Sequence, residues 1–249
     1  MSDTVLSILS HPDDAEFLCA GTMARLAKER DCKIHIATMT AGDCGSATQS
    51  PGEIAAIRKN EGAQAAAIIN AKYHCLEEKD LLIFYAQEPL FKITRLIREV
   101  NPKFLFTHYP SDYMPDHEQT SLLVRAAAFC APVPNFCPGG PPPTKTIPHL
   151  YYCDPIEGTN PFGSAIEPQF LIDITSELET KANMLAAHAS QRDWLLKQHG
   201  LDHYVQAMKK FAYNRGTLAG VQAAEGFSQH LGHSYPQDNI LANLLGAIS

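Results

Sequence analysis

The sequence predicts an α/β fold: a mainly parallel sheet covered by helices, in a single domain spanning residues 1–249. Two observations lead there. Apolar, partly β-branched runs of strand length alternate with stretches of helical periodicity, the pattern of βαβ units. Several of these runs empty into polar loops marked by Pro or Gly, and the carboxyl ends of parallel strands are where such sheets bind ligands. The length is ordinary for one α/β domain, and 45% hydrophobic residues suffice for its core.

Thr4–Ser10 reads as a buried strand and Glu16–Arg30 as the helix after it, which leaves a polar hexapeptide at their junction. Lys33–Met39 is a second strand, ending in the loop Thr40–Ser46. Ser50-Pro51-Gly52-Glu53 starts a helix whose apolar stripe includes Ile54, Ile57, Ala65, Ile68 and Ile69. Tyr73–Leu76 is a short strand. Glu88–Val100 has helical spacing and stops at Asn101-Pro102. Lys103–Thr107 is the next strand, followed by the polar loop His108–His117 and a helix over Glu118–Cys130. Prolines at 132, 134, 138, 141, 142, 143 and 148 make a long surface loop at about 131–148. Strands resume at Leu150–Cys153 and Phe170–Ile174, and from Ser176 the chain reads as mostly helical, with a helical C-terminal extension at about 192–249.

A net charge of −7 argues against a general nucleic-acid or anionic-membrane surface, which would repel the chain. No apolar run reaches membrane-spanning length and the N-terminus lacks a positively charged leader, so a cytoplasmic, soluble protein is expected. Seven widely spaced cysteines without a Cys-x-x-Cys pair read as reduced thiols. The apolar tail Ile240–Leu245 suits docking on the protein's own core or on a neighbouring subunit, and a homo-oligomer is expected.

The junction His11-Pro12-Asp13-Asp14-Ala15-Glu16 gathers one imidazole and three carboxylates at a strand end. Either Asp could cap the following helix. Adjacent like charges at a buried strand end nevertheless cost energy unless a cation or hydrogen bonds offset them. His11, Asp14 and the distant His117 can form a His-Asp-His metal site with an open position for water, and Asp13 can accept that water's proton.

The chain resembles the LmbE-like, or PIG-L, family of zinc-dependent de-N-acetylases. The resemblance rests on the hexapeptide, Gly21-Thr22, Thr40-Ala41-Gly42-Asp43, Arg58 with Glu61, Pro115-Asp116-His117 and His188-Ala189-Ser190-Gln191, in family order. It implies a Rossmann-like fold, Zn2+ held by His11, Asp14 and His117, and Asp13 as general base. It also implies an N-acetylglucosamine-type substrate, a small molecule that Arg58 contacts. Substrate is expected over the loops Gly42-Asp43-Cys44 and His108–Met114, which adds Asp43 and His108 to the binding residues. One position departs: Met114 stands where many members carry a His that serves the oxyanion or the leaving amine. A thioether can do neither, so Tyr113, His108 and His188 are the candidates for that role, with His188 favoured to orient a carboxylate. Two rival readings are an amidase for non-sugar or non-acetyl amides, and a metal- or sugar-binding protein without turnover.

Overall fold

A computed structural model describes residues 2–191 and 203–248. Seven strands form one sheet: β1 (Thr4–Leu9), β2 (Lys33–Thr40), β3 (Lys72–Glu78), β4 (Phe104–Thr107), β5 (His149–Cys153), β6 (Phe170–Asp173) and β7 (Ala224–Gln229). Their spatial order is β3-β2-β1-β4-β5-β7-β6. The first five run parallel; β7 is antiparallel to both β5 and β6. The helices are α1 (Asp14–Leu18), α2 (Ala20–Arg30), α3 (Pro51–Ala67), α4 (Gln87–Val100), α5 (Pro115–Cys130), α6 (Leu178–Ala186), α7 (His203–Ala219) and α8 (Ile240–Leu245).

Apolar cores lie on both faces of the sheet. Met23, Leu26, Met184, Leu185 and Met208 belong to one, while Ile93, Ile97, Leu123 and Val124 belong to the other. Coverage on both faces explains why β1 and β4 are apolar in continuous runs rather than in alternation. The chain winds outward from β1 through β2 to β3, then returns to the other side of β1 at β4. The crevice between the ends of β1 and β4 is therefore the topological switch point, where this architecture opens a binding site.

Two helical expectations need correction. The helix expected over Glu16–Arg30 is two helices, broken at Cys19 (φ −141°). The Glu225 carboxylate accepts from the Gly21 and Thr22 amides at 2.9 and 2.7 Å, so α2 begins on a fresh, externally capped N-terminus. The C-terminal extension is not helical throughout. Gly220 (φ +67°) follows the end of α7, and the fully buried β7 then inserts between β5 and β6. Gly226 is required there, because a Cβ would collide with the Asp154 carboxylate. The part of the expected extension at 192–202 lies outside the described residues. The tail α8 buries Leu241 and Leu245 in the core beside α2 and α6. No helix among the described residues is long and apolar enough to cross a membrane.

Candidate metal centre

The turn after β1 is held in an unusual conformation. Asp13 precedes α1 with φ 115°, a region costly for any residue with a Cβ, and its side chain makes no capping bond. The capping alternative for Asp13 therefore fails. Asp14 is turned inward instead, where its Oδ2 accepts from the His11 amide at 2.8 Å and lies 3.3 Å from His11 Nδ1. From the other side of the crevice, the loop after β4 and the first turn of α5 bring His117 Nε2 to 3.6 Å from Asp14 Oδ1. Ligand atoms of His11, Asp14 and His117 all lie within 4.8 Å of one another, and all three residues are buried.

Carboxylates behind the ring nitrogens set which nitrogens face inward. His11 Nε2 lies 3.0 Å from Asp80 Oδ1 and 3.3 Å from Asp116 Oδ2; His117 Nδ1 lies 2.9 Å from Asp112 Oδ1. With those nitrogens protonated toward carboxylates, His11 Nδ1 and His117 Nε2 are left as lone-pair donors facing Asp14. His117 Nε2 is buried without a hydrogen-bond partner among the described residues, an expensive state unless something electrophilic occupies the space before it. Two imidazoles, a carboxylate and an open side form the donor set of a catalytic zinc site, so the residues fit the ion that the resemblance implies.

The electrostatics agree. Burial works against charge on His11 and His117, yet the surrounding carboxylates hold both above the ordinary histidine value. Asp14 is held well below the usual carboxylate range against its burial, chiefly by His117. Carboxylates that favour positive charge on two buried imidazoles would equally favour a cation held between them.

A cleft of about 340 Å³ opens over this cluster, walled in part by Asp13, Arg58, Tyr113, Met114, Gln191 and Tyr204. Arg58, buried on α3, donates from Nη2 to the Pro12 carbonyl at 2.8 Å and to Asp13 Oδ2 at 3.2 Å. Gly42 and Gly45 make room for its guanidinium, since a Cβ on either would strike it. Tyr204, on α7, donates a short hydrogen bond to the same Asp13 oxygen. Burial, reinforced by Asp14, raises Asp13 above the ordinary aspartate value although Arg58 opposes the shift.

Of the residues expected from sequence, the crevice brings together His11, Asp13, Asp14, Arg58, Tyr113 and His117. Three do not reach the cleft. His108 is fully buried behind the cluster, its ring stacked on His117 at 3.8 Å between centroids, and its Nε2 accepts from the Ser10 amide at 3.0 Å. Asp43 turns away to accept from the Asp80 amide at 2.9 Å and from Lys79, so it braces the loop that supports His11. His188 is fully buried with its Nε2 3.5 Å from Glu16 Oε2; it faces a carboxylate, but one outside the ligand set. Asp116, in the first turn of α5, accepts from the Leu81 amide at 2.8 Å and faces His11.

Sequence reasoning missed Asp80, Asp112 and Tyr204. Asp112 sits in the polar loop already suspected, and Asp80 closes a run of charges after β3 that reads as solvated surface. Tyr204 carries no local signal, being 191 positions from the residue it binds.

Comparison with known proteins follows the same geometry. Residues 6–128 match the PIG-L family, described as GlcNAc-PI de-N-acetylase. A diacetylchitobiose deacetylase of Thermococcus kodakarensis is 25% identical over 235 residues, 89% of this chain and 81% of the relative. A 4-oxalmesaconate hydratase of Pseudomonas putida is 24% identical over 228 residues, 87% of this chain and 81% of the relative. The structure of the N,N'-diacetylchitobiose deacetylase from Pyrococcus horikoshii superposes with a TM-score of 0.78 at 25% identity, covering 94% of this chain and 87% of that one. The matched segment contains all three candidate ligands, and over it the chain is similar to the PIG-L family of de-N-acetylases.

Proposed function

We propose that this chain is a zinc-dependent hydrolase that removes the acetyl group from an N-acetylated amino sugar. The observation that carries the reading is the inward-facing, unpartnered Nε2 of buried His117, set against Asp14 and His11 beneath an open cleft that also holds Asp13. Bound by these three ligands, zinc supplies Lewis acidity to the acetyl carbonyl and acidity to a water in the cleft.

The chain's own residues supply proton transfer and orientation. Arg58 and Tyr204 both bond Asp13 Oδ2, so Oδ1 is the oxygen assigned to take a proton from the attacking water. A carboxyl whose pKa is already raised by burial holds that proton well enough to return it to the departing nitrogen. This economy answers the Met114 departure, since neither His108 nor His188 reaches the cleft to act as a separate acid. Tyr113, exposed and edge-on to His117 at 5.4 Å, lines the cleft and can donate to the carbonyl oxygen.

The test is release of acetate and free amine from N-acetylglucosamine and its β-1,4-linked disaccharide by zinc-loaded protein. Turnover that disappears in Asp13→Asn while bound zinc persists supports the reading. Hydration of 4-oxalmesaconate without any acetate release, the activity named for the Pseudomonas putida relative, would overturn it.

A further inference from the structure

Farther along α5 than His117, a second cavity of about 450 Å³ opens at the surface, and no described residue lines both it and the metal cleft. Arg125 and Phe129 contribute to it from successive turns of α5, and Tyr85, His230 and Tyr235 bring rings from two other segments. Tyr85 and Phe129 are half exposed, whereas Tyr235 is buried.

These walls are fixed to the fold. Tyr235 donates its hydroxyl to the Arg125 carbonyl at 2.6 Å, and its ring meets His230 at 4.2 Å and Phe129 at 6.3 Å between centroids. The His230 amide donates to the Leu150 carbonyl at 2.9 Å, while its Nδ1 lies 2.9 Å from the hydroxyl of buried Tyr152. The Tyr85 amide donates to Gln119 Oε1 at 3.1 Å, which ties the segment after β3 to α5. A cavity walled in this way is formed before its ligand arrives, and binding there escapes much of the ordering cost.

Charge is what the cavity leaves unmatched. Arg25, Arg58 and Arg215 pair with carboxylates; among the described residues Arg125 does not. Asp238, in the same tail as His230 and Tyr235, is taken by His149 at 2.9 Å. His230 adds no second cation, because burial and then Arg125 hold it below the ordinary histidine value. The cavity therefore presents one guanidinium among four aromatic rings, in a chain of net charge −7.

That combination selects both parts of a ligand. A guanidinium fork matches a planar carboxylate through two parallel N–H bonds, and one cation balances one negative charge. A phosphate dianion would keep an uncompensated charge, and a neutral ligand would leave the guanidinium without a counter-charge. The rings offer edges and faces to a flat apolar body. A carboxylate without such a body would leave them in water.

We propose that this cavity binds a small organic acid, one carboxylate carried on a planar aromatic body, at a site separate from the metal centre. The proposal does not depend on the deacetylase reading. Calorimetry at low salt, on the protein as purified, titrates benzoate, acetate, benzyl alcohol and phenyl phosphate. Benzoate binds once per chain, and each of the other three binds at least about tenfold more weakly. Arg125→Gln, at an exposed position, weakens benzoate by about tenfold or more, and Phe129→Ala by about threefold or more. His117→Ala leaves benzoate affinity unchanged, which separates this site from a carboxylate held at the metal. Absent benzoate binding, binding that either cavity variant leaves unchanged or that His117→Ala abolishes, or equal binding of any other probe would overturn the proposal. Self-association in sedimentation velocity that Phe129→Ala abolishes would also overturn it, since a second copy would then fill the cavity.

Discussion

Two clusters of charge are buried in this molecule, and they are built on opposite principles. Beneath α2, Lys181 donates to Glu225 Oε1, which also accepts from the Gly21 amide, while Oε2 takes the Thr22 amide. Both carboxylate oxygens and the ammonium have partners, and both side chains are sealed from solvent. At the crevice between β1 and β4 the account does not close: His117 Nε2, His108 Nδ1 and Asp112 Oδ2 are all buried without a hydrogen-bond partner among the described residues. A satisfied network joins elements together. An unsatisfied one, at the switch point of an α/β sheet and open to a cleft, is poised for something outside the chain. Both are buried; the free lone pairs tell them apart.

His117→Ala breaks the contrast most severely. Elemental analysis of protein purified without affinity histidines should show zinc falling from near one per chain to near none. Acetate release should fall to background, while the folded state persists. Glu225→Ala does the reverse. Leaving Lys181 buried and unpaired should cost about 3–5 kcal/mol in urea unfolding, yet the protein that remains folded should still bind zinc. If Glu225→Ala lost metal as His117→Ala does, the two clusters would be one cooperative unit and the contrast would fail.

The carboxylates behind the ligands sharpen the comparison. Asp112→Asn and Asp80→Asn keep the shape of each side chain but weaken its grip on His117 Nδ1 or His11 Nε2. Zinc affinity measured by competition with a chelator should drop by about 10–100-fold in each, with kcat at saturating zinc changing less. Unchanged affinity would mean that these carboxylates merely fill space.

Much of this was legible in the sequence because it is local. The β1 run, the His11–Asp14 turn and the Pro115-Asp116-His117 start of α5 each announce themselves within about ten residues. The sheet follows from their repeated alternation. What escaped is set by tertiary contact. The amide capping of α2 by Glu225 spans 204 positions, and the Tyr204 bond to Asp13 spans 191. The antiparallel β7 was hidden because Ala224-Glu225-Gly226 carries none of the β-branched signal of β1, and its strand form is imposed by its neighbours on both sides. His108 and Asp43 misled for the complementary reason: polar residues in a ligand-bearing loop look alike in sequence, whether they face the cleft or brace it from behind.

His108 gives the smallest and most specific test, because it belongs to the ligand cluster yet is held without charge. Burial, with His117 beside it, lowers its pKa to about 4, against an unfolded value near 6.5. Between those limits the unfolded chain binds a proton that the folded chain refuses, so this residue's contribution to stability is intact above about pH 6.5 and is lost as pH falls toward 4. His11 and His117, whose values are raised, act in the opposite sense and lose their contribution as pH rises. The His108 part is isolated by comparing metal-free wild type with His108→Asn in urea unfolding at pH 7 and pH 5. The stability of wild type relative to the variant should decline by about 2 kcal/mol across that interval. A difference independent of pH would mean that His108 is protonated in the folded protein, and the Ser10 amide could not then be donating to its Nε2.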